Sequence, residues 1–320
     1  MIALKLKSGE FFKILLQCFM FRFDSFDRSK RANYLLNKVI MKTIKDIDYS
    51  VTFACYNAIE YTKKCIDSMI KNGDDLSRLA IVDNGSTDGT QEYLQSLPLG
   101  DLILNKSNLG CGVAWNQGAM SLQSEWTIIM NNDVVVSSGW IENLINAAEK
   151  HDIKVISPSL IEGELDYDFD ALVKDAIPSI GNYLRFGGKH AVCLAVHSSV
   201  WSDVGYFMAV PALLGYEDTL FFNSLREKGI KTAITGGSWL HHYGSITQSV
   251  MKRERGLTDK DSLASRYNSD LLKQSWLFRK YNKFQKKYQE KKFLKYEIKS
   301  FKMSVHGVRV NGETKWFALF

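Results

Sequence analysis

The sequence predicts an α/β protein built on a doubly wound, mixed but mainly parallel sheet. Three observations lead there. Apolar runs of strand length alternate with helical patterns along most of the chain. Two of these runs, Leu79-Ala80-Ile81-Val82 and Trp126-Thr127-Ile128-Ile129-Met130, stop abruptly in acid and amide, at Asp83-Asn84-Gly85 and Asn131-Asn132-Asp133. The length of 320 residues and a hydrophobic content of 45% allow a sizeable core in one large domain with appendages. In open α/β sheets, ligands bind beyond the carboxyl ends of the strands. The two acid-ended runs therefore direct Asp83, Asn84 and Asp133 toward one crevice. Oxygen-rich side chains there suit a hard divalent cation and the sugar or base of a nucleotide.

The elements follow in order. Phe11 to Ile40 reads as one or two helices, so residues 1–47 form a helical N-terminal extension. Its apolar stretch Phe11 to Phe21 is about half the length a bilayer span needs. It either packs on the main domain or lies on a membrane surface. Tyr49 to Cys55 is a strand ending at Tyr56-Asn57. Ile59, Cys65, Ile66, Met69 and Ile70 make one helical stripe, closed by Gly73. Ser86-Thr87-Asp88 caps a helix from Thr90 to Leu97. Leu102-Ile103-Leu104 is a short strand, and a helix from about Gly112 to Leu122 precedes the second acid-ended run. Trp140 to Lys150 is helical and Val155-Ile156-Ser157 a strand. The acidic stretch Glu162 to Asp175 reads as a loop-rich insertion over the crevice. Ala191 to Val196 is a strand, Ser198 to Val204 a short helix, and Glu217-Asp218 opens a helix through Leu225. Lys231 to Thr235 is the last strand. The main domain spans 48–245, and residues 246–320 form a basic, mainly helical C-terminal extension.

The net charge of +6 is uneven. Between Trp276 and Lys302 ten Lys or Arg stand against Glu290 and Glu297, a surplus of eight, so the rest of the chain carries about −2. The main domain is therefore not a basic nucleic-acid binder, and no specific nucleic-acid partner is expected. Trp276, Leu277, Phe278, Tyr281, Phe284 and Tyr288 lie among those lysines, a composition that suits an anionic membrane surface. A solvated helix has the same composition. The five cysteines are odd in number, lack Cys-x-x-Cys spacing and sit mostly in apolar runs. They read as reduced, buried thiols of a cytoplasmic protein.

The ordered set of Val51 to Asn57, Asp83 to Thr90, Asn108-Leu109-Gly110 through Asn116-Gln117-Gly118, Asn131-Asn132-Asp133, Gly188 to Gly205, Glu217-Asp218 and His242 resembles family 2 glycosyltransferases of the Rossmann-like GT-A fold, over about residues 48 to 245. The resemblance implies an inverting transfer of one sugar from a nucleotide-diphosphate-sugar to a glycan or lipid-linked glycan, with Mg²⁺ or Mn²⁺. Asp133 stands where the family's Asp-x-Asp motif ends and is the implied metal ligand, with His242 completing its shell; Asn131 replaces the motif's first Asp. Glu217 and Asp218 match the acidic pair near the acceptor, and either is the implied general base, Asp218 being preferred. Ala54, Tyr56, Asp83 and Asn84 resemble the nucleotide pocket. Asn108, Gly110, Asn116 and Gln117 fall on the diphosphate or sugar side, and Asn131 and Asn132 join the implied nucleotide-sugar-binding set. The Asp-Asn-Gly-Ser pattern is similar to rhamnosyltransferase-like members, which puts dTDP-rhamnose first among donors and UDP-hexoses next. Surface polysaccharide assembly at the inner face of the cell membrane is the implied setting. Two rivals share the fold class: a nucleotidyltransferase and a non-catalytic glycan- or membrane-binding scaffold. The first needs a Gly-rich, Arg/Lys-bearing loop after the first strand, where Tyr56-Asn57-Ala58-Ile59-Glu60 stands instead.

Overall fold

A computed structural model describes residues 42–209, 217–256, 258 and 276–318. The predicted N-terminal extension lies outside the described residues except for 42–47.

Strand β1 (Tyr49–Cys55) is the centre of the sheet. Its residues alternate between two buried faces. Tyr49, Val51, Phe53 and Cys55 enter one core cluster, while Thr52 lies on the opposite face, close enough to Gly118 of helix α3 (Cys111–Ser121) that a Cβ there would clash with it. Strand β4 (Trp126–Asn131) does the same: Trp126, Ile128 and Met130 face the first cluster and Ile129 the second. Both faces are thus covered by helices, which is the doubly wound arrangement. The first face is closed by α1 (Ile59–Asn72) and α4 (Trp140–Lys150), the second by α3, α6 (Ser198–Val204) and α7 (Glu217–Glu227).

The sheet is mixed, with eleven strands among the described residues. β3 (Asp101–Leu104), β2 (Leu79–Asp83), β1 and β4 run parallel as neighbours. β8 (Cys193–His197) pairs antiparallel with β4 and with the start of β6 (Val155–Glu162). β6 in turn runs parallel to β9 (Thr232–His242). Short β5 (Val134–Val136) and β7 (Leu184–Phe186) pair antiparallel with β9.

Three segments differ from the sequence reading. The strand expected to end at Thr235 runs on through Gly236-Gly237 to His242, with a register shift opposite Pro158/Ser159. Gly236 makes this possible, because a Cβ there would clash with the Ile180 carbonyl. The stretch expected as a loop-rich insertion instead holds α5 (Phe169–Ile180), capped by Asp168. Phe169, Val173, Ala176 and Ile180 pack on Ile161, Ile234 and Trp239, an apolar stripe that the flanking acids obscured. The C-terminal part, expected to be mainly helical, contains α8 (Ile246–Arg255) and α9 (Trp276–Phe301) but also β10 (His306–Val310) and β11 (Glu313–Trp316). β10 adds to β6 in parallel and so extends the central sheet.

Candidate active site

The carboxyl ends of β1, β2, β4, β6 and β9 open onto a cavity of about 290 Å³. Its wall includes Ala54, Tyr56, Asn84, Asn108, Asn131, Asn132, Asp133, Glu217, Asp218 and His242. The chain leaves β1 through Asn57 and Ala58, both left-handed, at φ 52° and 58°. Such a pair costs about 1–2 kcal/mol per residue. It is held by Asn57, whose N–H donates to Ser86 Oγ and whose Oδ1 accepts from Thr87 N–H.

Asp133 and His242 reach the site from different strands. Asp133 sits in the turn between β4 and β5; His242 ends β9, in register with Val134. His242 Nε2 lies 3.2 Å from Asp133 Oδ1 and 3.3 Å from Asn131 Nδ2. Asp133 Oδ2 accepts from Ile246 N–H at 3.0 Å. On its far side, His242 Nδ1 donates to Glu162 Oε1 at 3.2 Å. Burial alone would lower the His242 pKa, but its hydrogen bonds to Asp133 and Glu162 outweigh this and push it up to about 9. Burial likewise works against the Glu162 carboxylate, yet His242 and His306 hold it well below the usual range.

Glu217 and Asp218 start α7 and line the same cavity. Glu217 is buried, with Oε1 accepting from Gly112 N–H at 3.3 Å and Oε2 without a partner among the described residues. A Cβ on Gly112 would stand 3.1 Å from the Glu217 side chain, so the glycine permits this approach. Burial, with Asp218 as its charged neighbour, raises the Glu217 pKa. Asp218 is half-buried on the cavity wall, and its Oδ1 accepts from Thr219 N–H at 2.6 Å.

Among the described residues no group of three His, Cys, Asp or Glu forms a protein-only metal cage. Asp133 and His242 instead offer one carboxylate oxygen and one imidazole nitrogen side by side. Such a donor pair suits a divalent cation whose other positions are filled by water and ligand phosphates.

The glycosyl transferase family 2 model matches residues 50–210, which carry β1 through α6 and every cavity wall from Ala54 to Glu162. The chain belongs to glycosyl transferase family 2. An uncharacterized glycosyltransferase of Rickettsia felis is 29% identical over 189 residues, covering 55% of this chain and 31% of that protein. The minor teichoic acid biosynthesis protein GgaB of Bacillus subtilis is 29% identical over 110 residues, 32% of this chain and 12% of that protein. The chain spans about a third of the length of the first curated relatives it matches. The S. aureus TarS structure with UDP-GlcNAc overlays at a TM-score of 0.48 and 15% identity, covering 63% of this chain and 61% of that one.

Within this family 2 site, some expected residues stand back from the cavity. Asp83 is fully buried behind the wall; Oδ1 accepts from Gly85 N–H, Ser86 N–H and Gln91 Nε2, while Oδ2 has no partner among the described residues. Asn116 does not reach the cavity, because its amide pairs with both backbone groups of Phe207 at 2.7 and 3.0 Å. Gly110 stands behind the wall at the N-terminus of α3. Asn84 and Asn132 line the cavity, but their amides hold protein: Asn84 grips Asn105 and Gly110, and Asn132 grips Thr62 and Thr247.

Two groups of site residues escaped sequence reasoning. Helix α8 lies along the cavity, with Thr247 on Asn132, Met251 Sδ 3.6 Å from Asn108 Nδ2, Glu254 on Asn57, and the Arg255 guanidinium 5.7 Å from the Tyr56 ring centre. No acid-ended run marks it. Glu162 does end an apolar run, Val155 to Ile161, but Ser157-Pro158-Ser159 interrupts the signal.

Proposed function

We propose that this protein is an inverting, metal-dependent glycosyltransferase. It moves one sugar from a nucleotide-diphosphate-sugar to a glycan or lipid-linked glycan hydroxyl. The observation that carries this is the cavity itself: Asp133 and His242 meet at 3.2 Å in its wall, and Glu217 and Asp218 line the same cavity. Asp133 and His242 would hold Mg²⁺ or Mn²⁺, which supplies charge neutralisation of the departing diphosphate.

Asp218 is the general base. It stands half-exposed on the wall, whereas Glu217 is buried, anchored on Gly112 and biased by burial toward its protonated form. The acceptor oxygen attacks the anomeric carbon, the bond to the diphosphate breaks, and the acceptor proton passes to Asp218. On the donor side, Tyr56 and Ala54 flank the base, and Asp83 acts from behind the wall by holding the Gly85-Ser86 turn. Asn108 and Asn131 approach the diphosphate and sugar. dTDP-rhamnose is the first donor to try and UDP-hexoses the next. Purified protein with Mn²⁺ is to be assayed against UDP-, GDP- and dTDP-sugars. Turnover or hydrolysis of at least one donor, lost in Asp133→Ala, is expected; neither binding nor turnover across the panel would overturn the reading.

The acceptor is presented at an anionic membrane surface, on the cytoplasmic side, through residues 276–302. Tyr281, Phe284 and Tyr288 are 58, 66 and 57% exposed and recur at i, i+3 and i+7, one face of α9. Exposed Lys287, Lys291, Lys292 and Lys295 surround that face. No helix among the described residues is long and apolar enough to cross a membrane. The arrangement suits an amphipathic surface contact. Flotation with anionic liposomes is the test, and an undiminished yield after Tyr281, Phe284 and Tyr288 are all changed to Ser would refute it.

A further inference from the structure

We propose that Glu162, backed by His306 of the C-terminal hairpin, is the positioning residue that orients His242 in the site; this rests on the metal reading given above. The sheet register produces the contact. Glu162 ends β6 directly opposite His242 of β9 and opposite Val308 of β10, with His306 opposite Leu160. Glu162 therefore lies between two histidines drawn from distant parts of the chain. Its Oε1 receives His242 Nδ1 at 3.2 Å and its Oε2 receives His306 Nε2 at 3.1 Å.

A carboxylate only accepts, so Glu162 keeps a proton on Nδ1 of His242. That leaves Nε2 as the nitrogen turned toward Asp133 and the cavity. A ring fixed from behind in this way holds Nε2 in one direction, where a bound cation would take the place of the Nε2 proton, and gains basicity from the carboxylate. His306 completes the clamp. It is 1% exposed, its ring lies 4.0 Å from that of Phe317, and its own Nδ1 has no partner among the described residues, so its one polar contact from the ring is the one to Glu162. The hairpin thus touches the chemistry through a single side chain although it lies beyond the stretch matched by the family model.

Mn²⁺ binding, read by water-proton relaxation with UDP, GDP and dTDP supplied in turn, tests this alongside the melting temperature of each variant. Loss of a partner behind a ligand typically costs 10–100-fold in metal affinity. Glu162→Ala is expected to weaken Mn²⁺ binding by about that factor, and Glu162→Gln and His306→Ala by severalfold. Glu162→Asp, which keeps the carboxylate, is expected to recover part of the loss. A merely structural Glu162 would lower the melting temperature and leave the affinity of the folded protein unchanged. Should Glu162→Ala not fold, Glu162→Gln carries the comparison. Wild-type Mn²⁺ affinity in the Glu162 variants, with binding abolished in Asp133→Ala, overturns the positioning role and leaves the metal reading standing. Wild-type affinity in Asp133→Ala overturns both.

Discussion

Asp218 and Glu217 are neighbours in sequence with opposite environments. One lies half-exposed on the cavity wall; the other is buried with an oxygen on Gly112. If Asp218 takes the acceptor proton, Asp218→Asn lowers kcat by about 10²–10⁴ with the donor KM little changed. Glu217→Gln keeps the Gly112 contact and is expected to cost less than about tenfold. Steady-state kinetics on the donor found by the panel decide it, and the reverse ranking would transfer the role to Glu217. The residue types at this site were legible, since Asp133, Glu217, Asp218 and His242 all reach one cavity. The use of the amides was not. Asn84, Asn116 and Asn132 read as ligand contacts, yet their side chains hold loops together, because a buried amide must first satisfy its own donors and acceptors.

At the scale of elements, α3 crosses β1 with almost no space between them. A Cβ on Gly118 would clash with Thr52 Oγ1 and stand 2.9 Å from Thr52 Cβ. Gly118→Ala is therefore expected to destabilise the protein by about 1–3 kcal/mol, measured by urea unfolding. A second element contact is pH-dependent. Asp74, just past the C-terminus of α1, accepts from Trp140 Nε1 of α4 at 2.9 Å, and burial raises its pKa to about 6. A raised carboxyl pKa means that this group favours folding most below pH 4 and loses that contribution as pH rises through about 6. Asp74→Asn keeps an acceptor for Trp140 without the charge. It is expected to be more stable than wild type by on the order of 1 kcal/mol at pH 7, with the difference gone near pH 4. Thermal melts at the two pH values test this, and equal gains at both would refute it. Alternation made β1 and β4 readable, while β9 was cut short because Gly236-Gly237 looks like a stop until Ile180 is seen to lie against it.

Across the whole molecule, side chains as well as the β10–β6 pairing tie the C-terminal part to the sheet. His306 meets Glu162 at the cavity, and Glu297 of α9 forms a paired hydrogen bond with Arg185 of β7, Oε1 to Nε at 2.8 Å and Oε2 to Nη2 at 2.5 Å. Arg185 and Glu297 are both fully buried, and Ser304 and Val305 add further hydrogen bonds to the pair. Removing one partner of a buried pair typically costs 3–5 kcal/mol, whereas an apolar replacement of both is often neutral. Glu297→Ala is thus expected to lose about 3 kcal/mol of stability, and the double change Arg185→Met with Glu297→Leu to recover most of it. Denaturant titration checks both, and a harmless Glu297→Ala would show the pair to be dispensable. Burying Glu297 also removes one of only two acids from the exposed surface of α9, leaving that face more basic than its sequence count.

The sequence by itself determined the alternating order of strands and helices, the two acid-ended strands, the acidic pair that opens α7 and the family those motifs belong to. These are local patterns, set by side-chain period and by turn chemistry within a few residues. Tertiary structure decided which of those residues meet. His242 reaches Asp133 because β9 passes its double glycine in register with β5 and β6, and Glu162 reaches His306 because a hairpin more than a hundred residues later joins the same sheet. Strand pairing across such separations depends on register and packing between distant segments, which no local pattern encodes.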